Sequence, residues 1–394
     1  MANREVVIVS AVRSAIGTFG GALKDFSCSQ LGTVVTKEAI ARAGIDAASI
    51  GQLVFGNVIH GEARDMYVSR AVAIDSGLAN ESAALTLNRL CGSGLQAIVT
   101  AANAIQLGDT DAAIGGGVEC MSRAGYLLPS GRWGARMGDT KMVDMMVGAL
   151  TDPFGAGHMG ITAENVAAKF CISREEQDAF ALESQRRAVA AIQEGRFKSQ
   201  IVPVEVKTRK GVVMFDTDEY PKADASAEGL AKLKPAFKKD GSVTAGNASG
   251  INDGAAAVVL MEAGAAERAG AKALARFVSY GVSGVEPAIM GTGPIPAVKV
   301  ALNRAGLTLA DIDVIESNEA FAAQALSVNK GLELDPAKVN PNGGAIALGH
   351  PLGATGAILT VKCLHELQRT GGKYGLITMC IGGGQGIAGI IERL

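Results

Sequence analysis

Two hydrophobic patterns alternate along the first third of the chain. Short apolar runs at Val6–Val9, Ile50–Val58, Ser82–Leu90 and Asp111–Gly117 read as strands, and the continuous ones as strands covered on both faces. Between them, Leu31–Ala43, Ala63–Ile74 and Leu95–Leu107 repeat apolar residues at helical spacing. Ser29 stands where it can cap the first helix, Gly44 where it can end it, and Gly17–Gly21 breaks the first strand. This order predicts an α/β protein.

The order recurs in the last third. Ala39-Ile40-Ala41-Arg42-Ala43-Gly44-Ile45 matches Ala301-Leu302-Asn303-Arg304-Ala305-Gly306-Leu307, and an isoleucine follows each glycine six residues on (Ile50, Ile312). Ala112–Gly117, a strand running into three glycines, is echoed by Thr378–Gly384. Two matches in one order point to an internal duplication. Between the halves, from about residue 121 to 247, the composition changes. There lie the only tryptophan, Trp133, a charged helix Ser173–Glu194 opening with the capping box Ser173-Arg174-Glu175-Glu176, and a hairpin formed by Ile201–Val206 and Val212–Phe215. We read an inserted subdomain, after which Ala255–Glu262 returns to complete the first half's sheet.

Length and composition narrow the class. At 394 residues the chain exceeds one ordinary core. Apolar content of 48%, 51 glycines and 4% aromatics fit a tightly packed α/β protein with many glycine turns. A net charge of −2 points to neither nucleic acid nor an anionic membrane. Six cysteines without a C-x-x-C pair and four scattered histidines argue against a disulfide framework or a metal site, and for a reducing compartment. The chain enters a strand at Glu5 with no presequence pattern, and no apolar run reaches the roughly 20 residues of a membrane span. The expectation is a soluble, cytoplasmic protein.

Candidate chemistry gathers in four stretches dense in glycine or polar residues. Cys91 lies in Asn88-Arg89-Leu90-Cys91-Gly92-Ser93-Gly94, a strand-to-helix turn whose glycines free the backbone. At a helix N-terminus the amides and dipole favour a thiolate, whereas a cysteine by itself more often packs as a small apolar side chain. Asn318 follows the strand Val314–Ser317, in Asn318-Glu319-Ala320-Phe321. Its amide can hold a water or a carbonyl, or cap a helix. His350 lies in the turn Gly343–Ala354 before the helix Thr355–Leu367; His365, on that helix, reads as structural, and His60 receives no role. Cys380 ends a strand and leads into Gly382-Gly383-Gly384. In parallel α/β folds sites form at the carboxyl ends of strands. A thiolate, an imidazole, a second thiol and turn amides there suit acyl transfer through a thioester.

These stretches, with His158–Asn165 and Ala245–Gly250, resemble the thiolase family along the whole chain. The resemblance implies duplicated βαβαβαββ halves in a five-layered α-β-α-β-α arrangement. Residues 1–121 plus 248–271 would form the first half, 122–247 the inserted loop subdomain and 272–394 the second half. It implies the activity of an acetyl-CoA C-acetyltransferase or β-ketothiolase, in fatty acid metabolism or polyhydroxyalkanoate biosynthesis. Cys91 would be acylated while His350 takes its proton. Cys380 would then deprotonate a second acetyl-CoA for a Claisen condensation. The amides of Cys91 and Gly382 would hold the acyl oxyanion, and His350 with a water on Asn318 the enolate. His158, Met159, Phe237, Ala245, Ser249, Ala320 and Phe321 would line the pantetheine tunnel. Lys222 stands where the family often has arginine near the nucleotide; a lysine offers charge without a bidentate fork. The resemblance implies no metal and no cofactor, coenzyme A thioesters being the substrates. Residues 132–139 resemble a tetramerisation loop, implying a homotetramer built as a dimer of dimers. Cys28, Cys120 and Cys171 match no functional position and are expected to be structural.

Rival readings share parts of the pattern. Gly92-x-Gly94-x-x-Ala97, with Glu119 downstream, fits a dinucleotide fingerprint and hence an NAD-dependent oxidoreductase, but leaves His350 and Cys380 without a purpose. A decarboxylating condensing enzyme would pair its cysteine with two histidines, where this chain has Cys380. A longer-chain 3-ketoacyl-CoA thiolase differs only in acyl pocket depth, with Leu150, Met159 and Met290 as pocket-shaping candidates.

Overall fold

The structure is a computed structural model that describes residues 4–209 and 211–394. The first three residues, with which the expected first half begins, lie outside the described residues. The chain opens with β1 (Val6–Ser14), α1 (Cys28–Ala43), β2 (Gln52–Gly56), α2 (Val68–Asp75), β3 (Ala83–Leu87), α3 (Ser93–Leu107) and β4 (Ala112–Cys120). It then makes an excursion over residues 121–251, which among the described residues touches the sheet only where Ile201–Val202 pairs with β1 and which includes α4 (Met159–Lys169), α5 (Arg174–Gln193) and the hairpin Val204–Thr208 with Gly211–Phe215. It returns as β5 (Asn252–Glu262), antiparallel to both β1 and β4. The second half runs β6 (Ala275–Gly284), α6 (Pro294–Ala305), β7 (Ile312–Ser317), α7 (Ala322–Leu332), α8 (Leu352–Thr370), β8 (Tyr374–Ile381) and β9 (Gln385–Arg393).

Strand order is β7-β8-β9-β6-β1-β5-β4-β2-β3, so the two halves join edge to edge where β6 meets β1. Helices cover both faces. On β1, Val6 and Ile8 enter a central core with α3 and α8, while Val7 and Val9 face α1 on the other side. Across β9, Ile387 and Ile391 join that central core, and Ala388 and Ile390 face α6 and α7. The layers are therefore helix, sheet, central helices, sheet, helix, as the α-β-α-β-α expectation has it. Burial on both faces explains why the interior strands read as unbroken apolar runs.

The duplication is real but unequal. The first half follows βαβαβαββ, whereas in the second the third strand shrinks to one parallel bridge, Ile315 to Val339. Gly44 and Gly306 do correspond: each ends a helix in the left-handed region, at φ 67° and 66°. The triple-glycine echo does not. Gly115–Gly117 lie within β4, but Gly382–Gly384 lie beyond the end of β8.

Several local expectations need correction. Ser27, not Ser29, caps α1, because the chain turns helical one residue before Ser29. Ala63–Ile74 splits into a 3₁₀ turn, Ala63–Tyr67, followed by α2. Ser82–Leu90 shrinks to β3, which among the described residues is an edge strand paired only with β2, and which is half exposed rather than buried. In the expected hairpin the first arm begins at Val204, since Ile201–Val202 pairs with β1 instead. The capping box at Ser173 forms as the sequence indicates. Among the described residues no helix is long and apolar enough to cross a membrane, and none of their His, Cys, Asp and Glu side chains cluster as a metal site would require.

Candidate active site

The turn between β3 and α3 places Cys91. Its strained residue is Leu90, at φ 47°, not either glycine. Asn88 Oδ1 accepts the Leu90 amide at 2.8 Å, and Ser93 Oγ accepts Arg89 N and donates to Leu90 O. These bonds hold a left-handed leucine just before the thiol, a strain of a kind stored at functional turns. Gly92 has an ordinary φ of −79°, so it is required for space: a Cβ there would lie 2.6 Å from Ile381 Cδ1. The expectation that these glycines serve backbone freedom is therefore corrected to close packing.

Cys91 lies on the wall of a cavity of about 510 Å³ that His350, Cys380 and Gly382 also line. The Gly382 amide donates toward the Cys91 sulfur, but burial outweighs it and pushes the thiol up to about 11. Desolvation thus opposes the thiolate that the helix terminus favours. Burial, and next the neighbouring Cys91, push Cys380 well above the ordinary thiol range. Burial holds His350 down at about 4. Thr355 Oγ1 donates to Pro351 O at 2.9 Å, so at 2.7 Å it accepts from His350 Nδ1. That leaves Nε2 with its lone pair, 3.4 Å from Asn318 Nδ2. Asn318 Oδ1 is buried and accepts from no group among the described residues. Asn318 stands behind the imidazole and does not itself form the cavity wall.

Along the cavity, His158 stacks on Phe237 with centroids 4.8 Å apart, and Phe237 meets Phe321 edge-on at 6.1 Å. His158 Nδ1 accepts Gly160 N and caps α4, while burial lowers its pKa and keeps the ring neutral. Met159, Ala245, Ser249 and Ala320 join the same wall, and Ser249 N bonds Ala320 O at 3.0 Å. Lys222 does not reach it. Its backbone N–H binds Gln185 and its ammonium stands 6.0 Å from the Tyr220 ring, which is itself part of the wall. His365 bridges Ser199 and Ala11 O, a structural role as expected. Cys28 and Cys120 are buried, but Cys171 is exposed at the end of α4.

Sequence reasoning missed the supports. Asn252 Oδ1 accepts the His350 amide at 2.9 Å. Glu319, wholly buried, accepts from Ser184 Oγ, Asn340 Nδ2 and Ile346 N, tying the Asn318 turn to the chain before His350. Lys362 of α8 pairs with Glu316 of β7 at 2.7 Å and donates to Gly343 O at 2.8 Å. Buried polar residues in a long chain are a signal of such networks, but their partners lie too far away in sequence to be assigned. Glu119 answers the dinucleotide reading. Both its oxygens are taken by backbone and asparagine N–H groups inside the fold, leaving none for a ribose.

The fold and this cavity define a class, and comparison with known proteins identifies it. Residues 6–264 match the model for the thiolase N-terminal domain, and residues 271–393 the model for the thiolase C-terminal domain. The chain belongs to the thiolase family. It is 64% identical over 393 residues to beta-ketothiolase BktB of Cupriavidus necator, each chain covered completely. Among solved structures, the Bacillus anthracis acetyl-CoA acetyltransferase matches with a TM-score of 0.97 and 47% identity over all of both chains. Human mitochondrial 3-ketoacyl-CoA thiolase in complex with CoA matches with a TM-score of 0.96 and 45% identity, over 99% of this chain and 98% of that one.

Proposed function

We propose that this enzyme is an acetyl-CoA C-acetyltransferase acting as a β-ketothiolase, joining two acyl-CoA molecules into a 3-ketoacyl-CoA and CoA, reversibly, through an acyl group on Cys91. The observation that carries the reading is one cavity lined by Cys91, His350, Cys380 and Gly382 together. In the first half-reaction His350 Nε2 takes the Cys91 proton as the sulfur attacks the thioester carbonyl. The oxyanion lies against the amides of Cys91 and Gly382. As it collapses, the departing CoA thiolate takes the Cys380 proton and leaves as the thiol. Cys380, now ionised, is a strong base because burial disfavours its charge, which suits the weakly acidic α-proton of acetyl-CoA. The resulting enolate rests against protonated His350 and a water held by Asn318. It attacks the acyl carbonyl, and the released Cys91 thiolate recovers the proton from His350.

His158, Met159, Phe237, Ala245, Ser249, Ala320 and Phe321 form the pantetheine channel in this reading, with Lys222 at its rim as a point charge toward the nucleotide. The working division is residues 1–121 with 248–271, 122–247 and 272–394. No cofactor takes part besides the CoA substrates, and the enzyme is cytoplasmic. The exposed Trp133 and Met137 fit a homotetramer contact through the 132–139 loop. A second reading, a 3-ketoacyl-CoA thiolase for longer chains, is favoured by the apolar wall that Leu150, Met290 and Leu352 contribute. Mass spectrometry after mixing with acetyl-CoA tests the proposal. An acetyl group mapped to Cys91, with release of free CoA, is the expected result; no adduct and no CoA release would overturn it. Chain-length preference follows from the same assay with longer acyl-CoAs.

A further inference from the structure

Glu119, on β4, is wholly buried and takes no part in the reaction described above. Its carboxyl accepts four N–H groups. Oε1 binds Ile59 N at 3.0 Å and Asn57 Nδ2 at 3.2 Å; Oε2 binds Val58 N at 3.0 Å and Gly353 N at 2.8 Å. Three of these donors follow β2 in the first half, and the fourth lies in the second half, three residues past His350. The junction is built to close tolerance. A Cβ on Gly353 would stand 2.7 Å from Glu119 Oε2, and Cβ atoms on Gly56, Gly94 or Gly117 would all crowd the Gly353 carbonyl.

A carboxylate ringed by neutral N–H donors is matched to its ionised form. A proton on Oε2 would point an O–H at a site that an N–H already fills. We propose that Glu119 is a positioning residue: ionised, it pins the His350 turn to the first half, and its protonation releases Gly353 and disengages the imidazole. This rests on reading His350 as the base of the reaction. Burial pushes the carboxyl up to about 7 against the pull of the amides, which brings the release within an assayable range. The titratable groups facing it are Asp65 from before α2, Cys28 from α1, Cys120 from β4 and Cys91 from the α3 turn. None of these is a cation, and His350 stands on the pinned turn itself.

The decisive variant is Asn57→Ala, which removes one donor to the carboxylate and leaves Glu119 and every cavity group in place. The ionised form loses support, its pKa rises, and the acid limb of kcat moves to higher pH by roughly 1–2 units, the worth of one hydrogen bond to a charged group. A limb set by Cys91 or His350 would stay where it is. Glu119→Gln puts an amide N–H against existing donors. It should lower kcat by about 10- to 100-fold, leave KM for acetyl-CoA within about twofold, and abolish the limb near 7. An unmoved limb in Asn57→Ala, or wild-type kcat in Glu119→Gln, overturns the proposal. If Glu119→Gln does not fold, the Asn57→Ala limb decides alone. The acetyl adduct on Cys91 is measured alongside, since its absence overturns the reaction reading, whereas an adduct with an unmoved limb overturns only the role of Glu119.

Discussion

Lys362→Met tests the ion pair that joins α8 to β7. Both partners are essentially inaccessible, at 1% and 0% of side-chain surface, and Lys362 also donates to Gly343 O. Methionine keeps the stem's volume but strands the Glu316 carboxylate, whose Oε1 already has no partner among the described residues. Breaking a buried pair from one side costs about 3–5 kcal/mol, because the remaining charge is uncompensated. The carboxyl can escape by taking a proton. Burial already holds Glu316 up at about 7, with Lys362 pulling it down, so without the lysine its pKa rises further. The sign follows. An acid whose folded pKa lies above its unfolded value loses stability as pH rises toward that folded pKa, and in the variant this loss continues to higher pH. Urea unfolding at pH 8.5 should therefore show the full deficit of about 3–5 kcal/mol. At pH 5.5, with Glu316 neutral in both proteins, only about 1–2 kcal/mol of lost hydrogen bonding should remain. Adding Glu316→Leu to the variant should recover at least half of the pH 8.5 deficit. A loss below about 1 kcal/mol at pH 8.5, an equal loss at both pH values, or no recovery in the double variant would refute the reasoning.

Two further outcomes follow from the geometry. Cys380→Ser should still yield an acetyl group on Cys91 but lower condensation by about 10³-fold or more, since a hydroxyl is a far poorer base for the α-proton than an ionised thiol; undiminished product formation in a coupled assay would remove Cys380 from that role. Gly94→Ala would place a Cβ 2.7 Å from Ala357 N and 2.9 Å from Gly353 O, both backbone atoms, so α3 and α8 must part. A loss of about 1–3 kcal/mol in urea unfolding together with slower Cys91 acetylation is expected, and an unchanged midpoint would show that the helices tolerate the separation.

How legible the site was depended on how local each signal is. Cys91, His350 and Cys380 stood out because each follows or precedes glycines at a strand or helix end, and all three line one cavity. Leu90's left-handed backbone gave no such sign, because nothing in a leucine announces a positive φ. Nor did the charge state of Cys91. A helix terminus suggests a thiolate, but only the packed surroundings reveal how much water is excluded, and their effect prevails. Lys222, expected near the nucleotide and not in the tunnel wall, has its backbone held by Gln185 on α5, outside the cavity lining.

Legible from the residues alone were the α/β class, the duplication, the excursion between β4 and β5, and Cys91, His350, Cys380 and Gly382, which line one cavity. These reside in periodicity, in glycine punctuation and in residue chemistry, which are properties of neighbouring positions. Tertiary structure alone decided that the second half's third strand shrinks to a bridge at Val339, that Asn318 backs the imidazole, and that Glu119 holds Gly353 across the two halves. Each of these is a meeting of residues far apart in the chain, and the hydrogen bonds, desolvation and close packing that fix it exist only once the two sheets close over α3 and α8.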